Sequence, residues 1–178
     1  MRFDVRVEQL SSETVAEGFA VDLTVQRFRR ADGTEVERQV VEHPGSVAML
    51  AHDDEAVYLV RQPREAVHED GLLEIPAGTL DVEGESELDC AKRELSEEAG
   101  LRAEHWELMQ VLYPSPGYTD ERVTIFEATG LSPQPGKADA DEQIEVVRLP
   151  LSEIDAALPD LRDASTLVAL LLLRQRAA

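Results

Sequence analysis

The chain has 178 residues, 43% of them hydrophobic, and its 37 acidic against 17 basic side chains give a formal net charge of −20. That length suits about one ordinary domain, and the apolar fraction is enough for a core, which excludes a disordered chain. The charge excludes a general nucleic-acid or anionic-membrane binder, because those need a basic surface to displace counterions or meet lipid head groups. An anionic substrate stays open, since a bound divalent cation inverts the local field.

In chain order, residues 1–45 are strand-like: Val5 and Val7, then Phe19, Val21, Leu23 and Val25, alternate with polar residues. Ala31-Asp32-Gly33 supplies a turn, and residues 35–41 read as the returning strand. Residues 46–51 and 56–60, split by Asp53-Asp54, predict a hairpin. Residues 72–76 form a short strand ending at Pro76-Ala77-Gly78, and residues 81–84 a turn. Ser86 with Asp89 makes a weak capping box before a helix. There Leu88, Ala91, Leu95 and Ala99 share one face, and Gly100 stands where a left-handed cap belongs.

Residues 106–113 and 123–128 are strands around the loop Pro114-Ser115-Pro116-Gly117. Residues 132–142 are a long acidic loop, 144–149 a strand, and Ser152 is positioned to cap a short helix. Residues 164–175 form a last helix, apolar on most sides and so docked on the domain or on a partner chain. Many strands with two or three helices predict an α/β (α+β) fold rather than an even alternation of βα units.

The longest apolar run, Leu167 to Leu173, is far short of the ~20 residues of a spanning helix. The first ten residues contain no signal-peptide core. The single cysteine, Cys90, has no intramolecular partner, which fits a reducing compartment. A soluble, cytoplasmic protein is expected. Cys90 lies beside the helix's apolar face and is expected to be inert; His43, His52, His68 and His105 lack metal-ligand spacing and are expected at the surface.

The 78–101 segment carries the chemistry. At about 100° per residue, Glu94, Glu97 and Glu98 cluster opposite the apolar face. Glu94 and Glu98 are i,i+4 neighbours that repel when left alone. Oxygen ligands so gathered suit hard divalent cations, although an acidic solvated face would look the same. Gly78, Glu85, Arg93 and Gly100 stand at fixed offsets from these glutamates.

This pattern resembles the Nudix box, Gly-x5-Glu-x7-Arg-Glu-apolar-x-Glu-Glu-x-Gly-apolar. Every element from Glu85 to Leu101 matches; six residues rather than five separate Gly78 from Glu85, and the extra one falls in the turn before the helix. The resemblance implies a Nudix fold: a mixed β-sheet sandwiched between helices, with an N-terminal antiparallel strand region. It also implies hydrolysis of a nucleoside diphosphate linked to another moiety. Carried over by position, Glu94, Glu98 and the Ala77 carbonyl hold Mg²⁺, with Mn²⁺ as a substitute. Glu97 is a metal ligand or acid/base helper, Arg93 orients a neighbouring glutamate, and Glu85 is structural.

The stretches 42–47, 60–64, 74–78 and 115–121, and Pro116 fifteen residues beyond Leu101, resemble the ADP-ribose pyrophosphatase branch. The branch implies Phe19 stacking on adenine and Arg38 contacting the nucleotide, both from a partner subunit. The plainer alternatives are a buried strand residue for Phe19 and an exposed strand residue for Arg38. Arg64 would reach the diphosphate, or make a surface ion pair. Ser115, Gly117 and Glu121 would lie near the terminal ribose, Gly117 otherwise serving only its turn. Glu142 would bind metal or the attacking water as the base, with Glu97 the alternative. The expected organisation is a dimerising strand region at 1–45 and a hydrolase domain at 46–178, in a homodimer with exchanged N-terminal strands. The expected partner is a small nucleoside diphosphate sugar, ADP-ribose first, with GDP-mannose or UDP-glucose types and a non-catalytic sensor domain as alternatives; no nucleic acid and no membrane are expected.

Overall fold

The alternation at the N-terminus does produce strands, but with a tight corner between them. The computed structural model describes residues 6–134 and 143–176. They group into two units: the residues up to Gly45 with Tyr113–Arg122, and Ser46–Leu112 with the residues from Val123 onward.

In the first unit, β1 (Val7–Ala16), β2 (Asp22–Arg30) and β3 (Glu35–Glu42) form an antiparallel sheet in that order. Within its own chain β1 is exposed along nearly its whole length. Phe19 is neither in a strand nor buried. It sits in the corner between β1 and β2 and is fully exposed. The Gly18 amide donates to the Asp22 carboxylate at 3.1 Å and closes that corner. A Cβ on Gly18 would lie 2.3 Å from the Val21 carbonyl oxygen, so the turn needs glycine there. Residues 113–122 are tied to β3: the Val41 amide donates to the Tyr118 carbonyl at 2.8 Å, and the His43 amide to the Asp120 carboxylate at 2.8 Å.

The second unit is built on β4 (Ser46–His52), buried at its five central positions. A strand buried on both faces reads as a continuous apolar run, and Val47-Ala48-Met49-Leu50-Ala51 is one. Around it lie β5 (Ala56–Arg64), β6 (Glu69–Glu74), β7 (Ala77–Thr79), β9 (His105–Leu112), β10 (Val123–Thr129) and β12 (Glu145–Pro150). The order is β12-β5-β4-β10-β9, with β6 on β5 and β7 on β4. β10 runs parallel to β4, while the β5 and β7 pairings are antiparallel. A short β8 (Leu101–Arg102) pairs with β11 (Ser132–Pro133), so the predicted loop from residue 132 begins as a strand.

Side-chain alternation along β4 divides the core. Ala48 and Leu50 join Ala169 and Leu170 of helix α3 (Ala164–Arg176) on one face. Val47, Met49 and Ala51 join Cys90, Ala91 and Leu95 of helix α1 (Glu87–Ala99) on the other. The result is the expected mixed sheet between helices, and α3 is docked on its own domain. Each fully buried Leu, Val or Met contributes about 1.5–3 kcal/mol.

Three local expectations are corrected. β6 starts at Glu69 because its backbone pairs with β5 whatever its side chains. Ser152 does not cap a helix; it lies inside the 3-10 turn Leu151–Glu153, and α2 (Ile154–Ala157) follows with no side-chain cap bond. His52 is not a surface residue: its Nε2 lies 2.9 Å from the Glu127 carboxylate, with 17% of the side chain exposed. No helix among the described residues is long and apolar enough to cross a membrane.

Candidate active site

α1 begins and ends where its local chemistry dictates. Ser86 Oγ accepts the Asp89 amide at 3.1 Å, and Gly100 takes the left-handed conformation at φ 65° while donating to the Leu95 and Ser96 carbonyls. Burying Ala91, Leu95 and Ala99 against the sheet fixes the helix's rotation. That rotation aims Arg93, Glu94, Glu97 and Glu98 into a cavity of about 240 Å³. β7 supplies Ala77, Gly78 and Thr79 to the same cavity, β5 supplies Gln62 and Arg64, and the following turn supplies Asp81.

Arg93 is the hub of the wall. Its Nε and Nη2 pair with both oxygens of Glu85, at 3.1 and 3.0 Å. Its Nη1 donates to Glu94 at 2.6 Å and to Glu97 at 2.9 Å. The hydrogen bond to Glu85 leads the causes that hold the guanidinium well above the usual arginine range. The same bond holds the Glu85 carboxyl below its ordinary value. Glu98 is tied differently: it is 8% exposed, accepts the Ala77 amide at 2.9 Å and faces Gln62 Nε2 at 3.5 Å. The glutamate repulsion is thus divided, two side chains relieved by Arg93 and one by backbone. Burial pushes the Cys90 thiol up to about 12, so it stays protonated at neutral pH, as expected of an inert cysteine.

Gly78 is where backbone and helix meet most closely. A Cβ there would lie 2.2 Å from Cγ and Cδ of Glu94 and 2.3 Å from its Oε1. Gly78→Ala must displace Glu94, at a strain cost of about 1–3 kcal/mol. We expect a loss of activity of at least about tenfold with a shift of only a few degrees in Tm. Steady-state kinetics beside a thermal melt would check this, and unaltered kinetics would show that Glu94 does not need its present position.

Of the residues singled out from sequence, Arg64, Ala77, Arg93, Glu94, Glu97 and Glu98 line this one cavity. Phe19, Arg38, Ser115, Gly117 and Glu121 belong to the first unit. Arg38 is exposed on β3, its Nη1 donating to the Glu37 carbonyl. The Ser115 carbonyl accepts the Tyr118 and Thr119 amides at 3.2 Å, which makes the turn containing Gly117; the Glu121 amide donates to Thr119 Oγ1 at 3.1 Å. Glu142 lies outside the described residues. Sequence reasoning missed Gln62, Thr79 and Asp81 in the wall and Glu74 behind it. The signal for Gln62 was its i,i+2 spacing from Arg64, which puts both on one face of a strand.

Oxygen donors from the carboxylates of Asp81, Glu94, Glu97 and Glu98 and from the adjoining β7 backbone are of the kind that suits a hard divalent cation. Gly78, lacking a Cβ, is what lets Glu94 lie against the backbone beside Ala77. No group of three or more His, Cys, Asp or Glu side chains converges as a metal cluster among the described residues. Arg93 draws Glu94 and Glu97 to itself, so the fit is one of donor chemistry and placement.

The chain matches the NUDIX domain family over residues 42–171. It is 44% identical over 127 residues to an ADP-ribose pyrophosphatase of Mycobacterium tuberculosis, covering 70% of this chain and 60% of that relative's length. It is 37% identical over 147 residues to an ADP-ribose pyrophosphatase of Bacillus subtilis, covering 81% of this chain and 78% of the relative. A crystal structure of an ADP compounds hydrolase superposes with a TM-score of 0.83 at 25% identity, covering 99% of this chain and 96% of that one.

Proposed function

This chain belongs to the NUDIX family, and from that premise we propose that it hydrolyses ADP-ribose to AMP and ribose 5-phosphate with Mg²⁺, for which Mn²⁺ can substitute. The observation that carries the reading is the cavity in which Arg64 and the Ala77 backbone face Glu94, Glu97 and Glu98. The ADP-ribose pyrophosphatases among its relatives support the choice of sugar nucleotide.

Glu94, Glu98 and the Ala77 carbonyl would hold the divalent ions. Bound there, such ions neutralise a diphosphate and acidify water, which is the chemistry that a phosphoanhydride cleavage requires. The chain's own groups supply the rest. Arg64 offers a planar cationic donor to the diphosphate oxygens. Arg93 orients Glu94 and Glu97 through its two short hydrogen bonds. Glu142 takes the proton of the attacking water, with Glu97 the second candidate for that role. Ser115, Gly117 and Glu121 hold the terminal ribose.

The site is completed by a second copy of the chain. An aromatic ring fully exposed at Phe19, and a ten-residue strand β1 with Val7 and Val15 more than half exposed, are surfaces that a partner subunit would cover. In the resulting homodimer the N-terminal strands are exchanged, and Phe19 and Arg38 reach the partner's nucleotide. Sedimentation at micromolar concentration is expected to give a dimer; a monomer there would contradict the exchange.

Activity is tested by measuring AMP release from ADP-ribose beside GDP-mannose and UDP-glucose. ADP-ribose is expected to win by at least an order of magnitude in kcat/KM. A different sugar nucleotide ahead by that margin would overturn the substrate, and cleavage of none would overturn the hydrolase reading.

A further inference from the structure

The cavity's cationic arm is itself held from behind. Glu74 closes β6, is 7% exposed and is not part of the cavity wall. Its Oε1 and Oε2 accept Arg64 Nε at 3.2 and 3.0 Å, and Oε2 also pairs with Arg64 Nη2 at 2.9 Å. The same Oε2 accepts Gln62 Nε2 at 3.2 Å, and that amide reaches Glu98 Oε1 at 3.5 Å. One buried carboxylate therefore grips both β5 side chains that face the helix glutamates.

The register explains how. Glu74 is paired with Val60, and the ladder slips between Gln62 and Arg64, where Pro63 has no amide to donate. Gln62 lies in the same unbroken stretch of ladder, diagonal to Glu74, and Arg64, two residues further on the same face of β5, reaches back to the same acid. The grip takes the guanidinium on its Nε–Nη2 edge, from a carboxylate that does not itself line the cavity, and does not engage Nη1. Without the grip, the cation would face the three helix carboxylates of the opposite wall, each able to capture it.

We propose that Glu74 is a positioning residue for diphosphate binding: it fixes the Arg64 guanidinium for a phosphate oxygen and keeps it from collapsing onto Glu98. The 44% exposed arginine side chain has the freedom to make that collapse, and Glu74 removes it. The role rests on the nucleoside diphosphate reading of the cavity.

The test compares the parent protein with Glu74→Gln, Arg64→Ala and the double variant, all as full chains. ADP binding is measured by calorimetry with Ca²⁺ present, and ADP-ribose kinetics with Mg²⁺. Glu74→Gln keeps the side chain's shape and an acceptor oxygen but loses its charge. Charge-assisted hydrogen bonds of this kind are worth enough that the ADP Kd and the KM should each rise about tenfold. kcat should change by less than about threefold, because the reacting carboxylates are untouched. In the Arg64→Ala background Glu74→Gln should do nothing further, since the arm it positions is gone. Thermal melts identify any variant that fails to fold, in which case Glu74→Asp, keeping the charge, should restore most of the affinity.

An unchanged Kd in Glu74→Gln, a fall in kcat alone, or a full additional loss in the Arg64→Ala background would overturn the proposal. So would a parent protein that does not bind ADP. ADP binding with the expected Kd pattern but no cleavage of ADP-ribose would leave the positioning role standing and overturn only the substrate.

Discussion

Glu98→Gln should lower kcat by about two to three orders of magnitude while leaving the metal-free protein as stable as the parent or more so. The glutamine retains the side chain's shape and an oxygen that accepts the Ala77 amide, now at 2.9 Å. It removes a negative charge that sits one turn from Glu94, and like charges at that spacing destabilise a helix by a few tenths of a kcal/mol. Loss of one preorganised electrostatic group in a water-poor site typically costs ~10²–10³ in kcat. A structural carboxylate would behave the opposite way: kinetics preserved, Tm lowered. Steady-state kinetics at saturating Mg²⁺, paired with melts in chelator, read both quantities, and a variant with parent-like kcat would remove Glu98 from the chemistry.

Arg93→Ala should fail on both counts. Glu85 and Glu94 have only 14% and 15% of their side chains exposed, and each loses its cation. We expect destabilisation of about 1–3 kcal/mol without metal and a fall in kcat of about a hundredfold. Divalent ions should raise the variant's Tm more than the parent's, since they substitute for the missing charge. The pH dependence has a definite sign. Arg93 lowers the folded-state pKa of Glu85, so its contribution is complete above the unfolded carboxyl value of about 4.3 and disappears as pH falls through the folded value. The stability gap between parent and variant should therefore be widest at neutral pH and narrow in acid. A gap that stayed constant from pH 7 to pH 3 would mean that packing, not charge, is Arg93's contribution. Lysine is not an adequate replacement, because one ammonium cannot make the forked bond to Glu85 and still reach two further carboxylates.

How much of this was legible in the sequence depended on how local the information is. α1 could be placed almost to the residue because the apolar spacing lies within it and Ser86 and Gly100 stand at its two ends. The order of apolar runs gave many strands with a few helices; the mixed sheet between helices came from the family pattern. The corner at Phe19 was not legible. Its alternation continues through Gly18 and Asp22, whose hydrogen bond turns the chain, and only the three-dimensional contact shows it. Ser152 failed as a cap because the Leu151 amide is committed to the Glu55 carbonyl at 2.9 Å, which starts the turn before a helix can begin. Glu74 was visible only as part of a short family stretch. Its two partners come from the neighbouring strand, one on each side of the register slip at Pro63, and neither the strand pairing nor the slip is written in any local pattern. The wall of carboxylates was thus readable from one helix, while the residues that steer the opposite wall were not.

The account's central claim is that the carboxylates of one helix, with the adjoining backbone, hold divalent ions against a diphosphate. The direct measurement is a crystal structure soaked with Mn²⁺ and a methylene-bridged ADP-ribose analogue, read by anomalous scattering. The account predicts a manganese peak ligated by Glu94, Glu98 and the Ala77 carbonyl, with the analogue's phosphonate oxygens on the ion and on Arg64. Manganese bound elsewhere, with Glu94 and Glu98 still committed to Arg93 and the Ala77 amide, would contradict it.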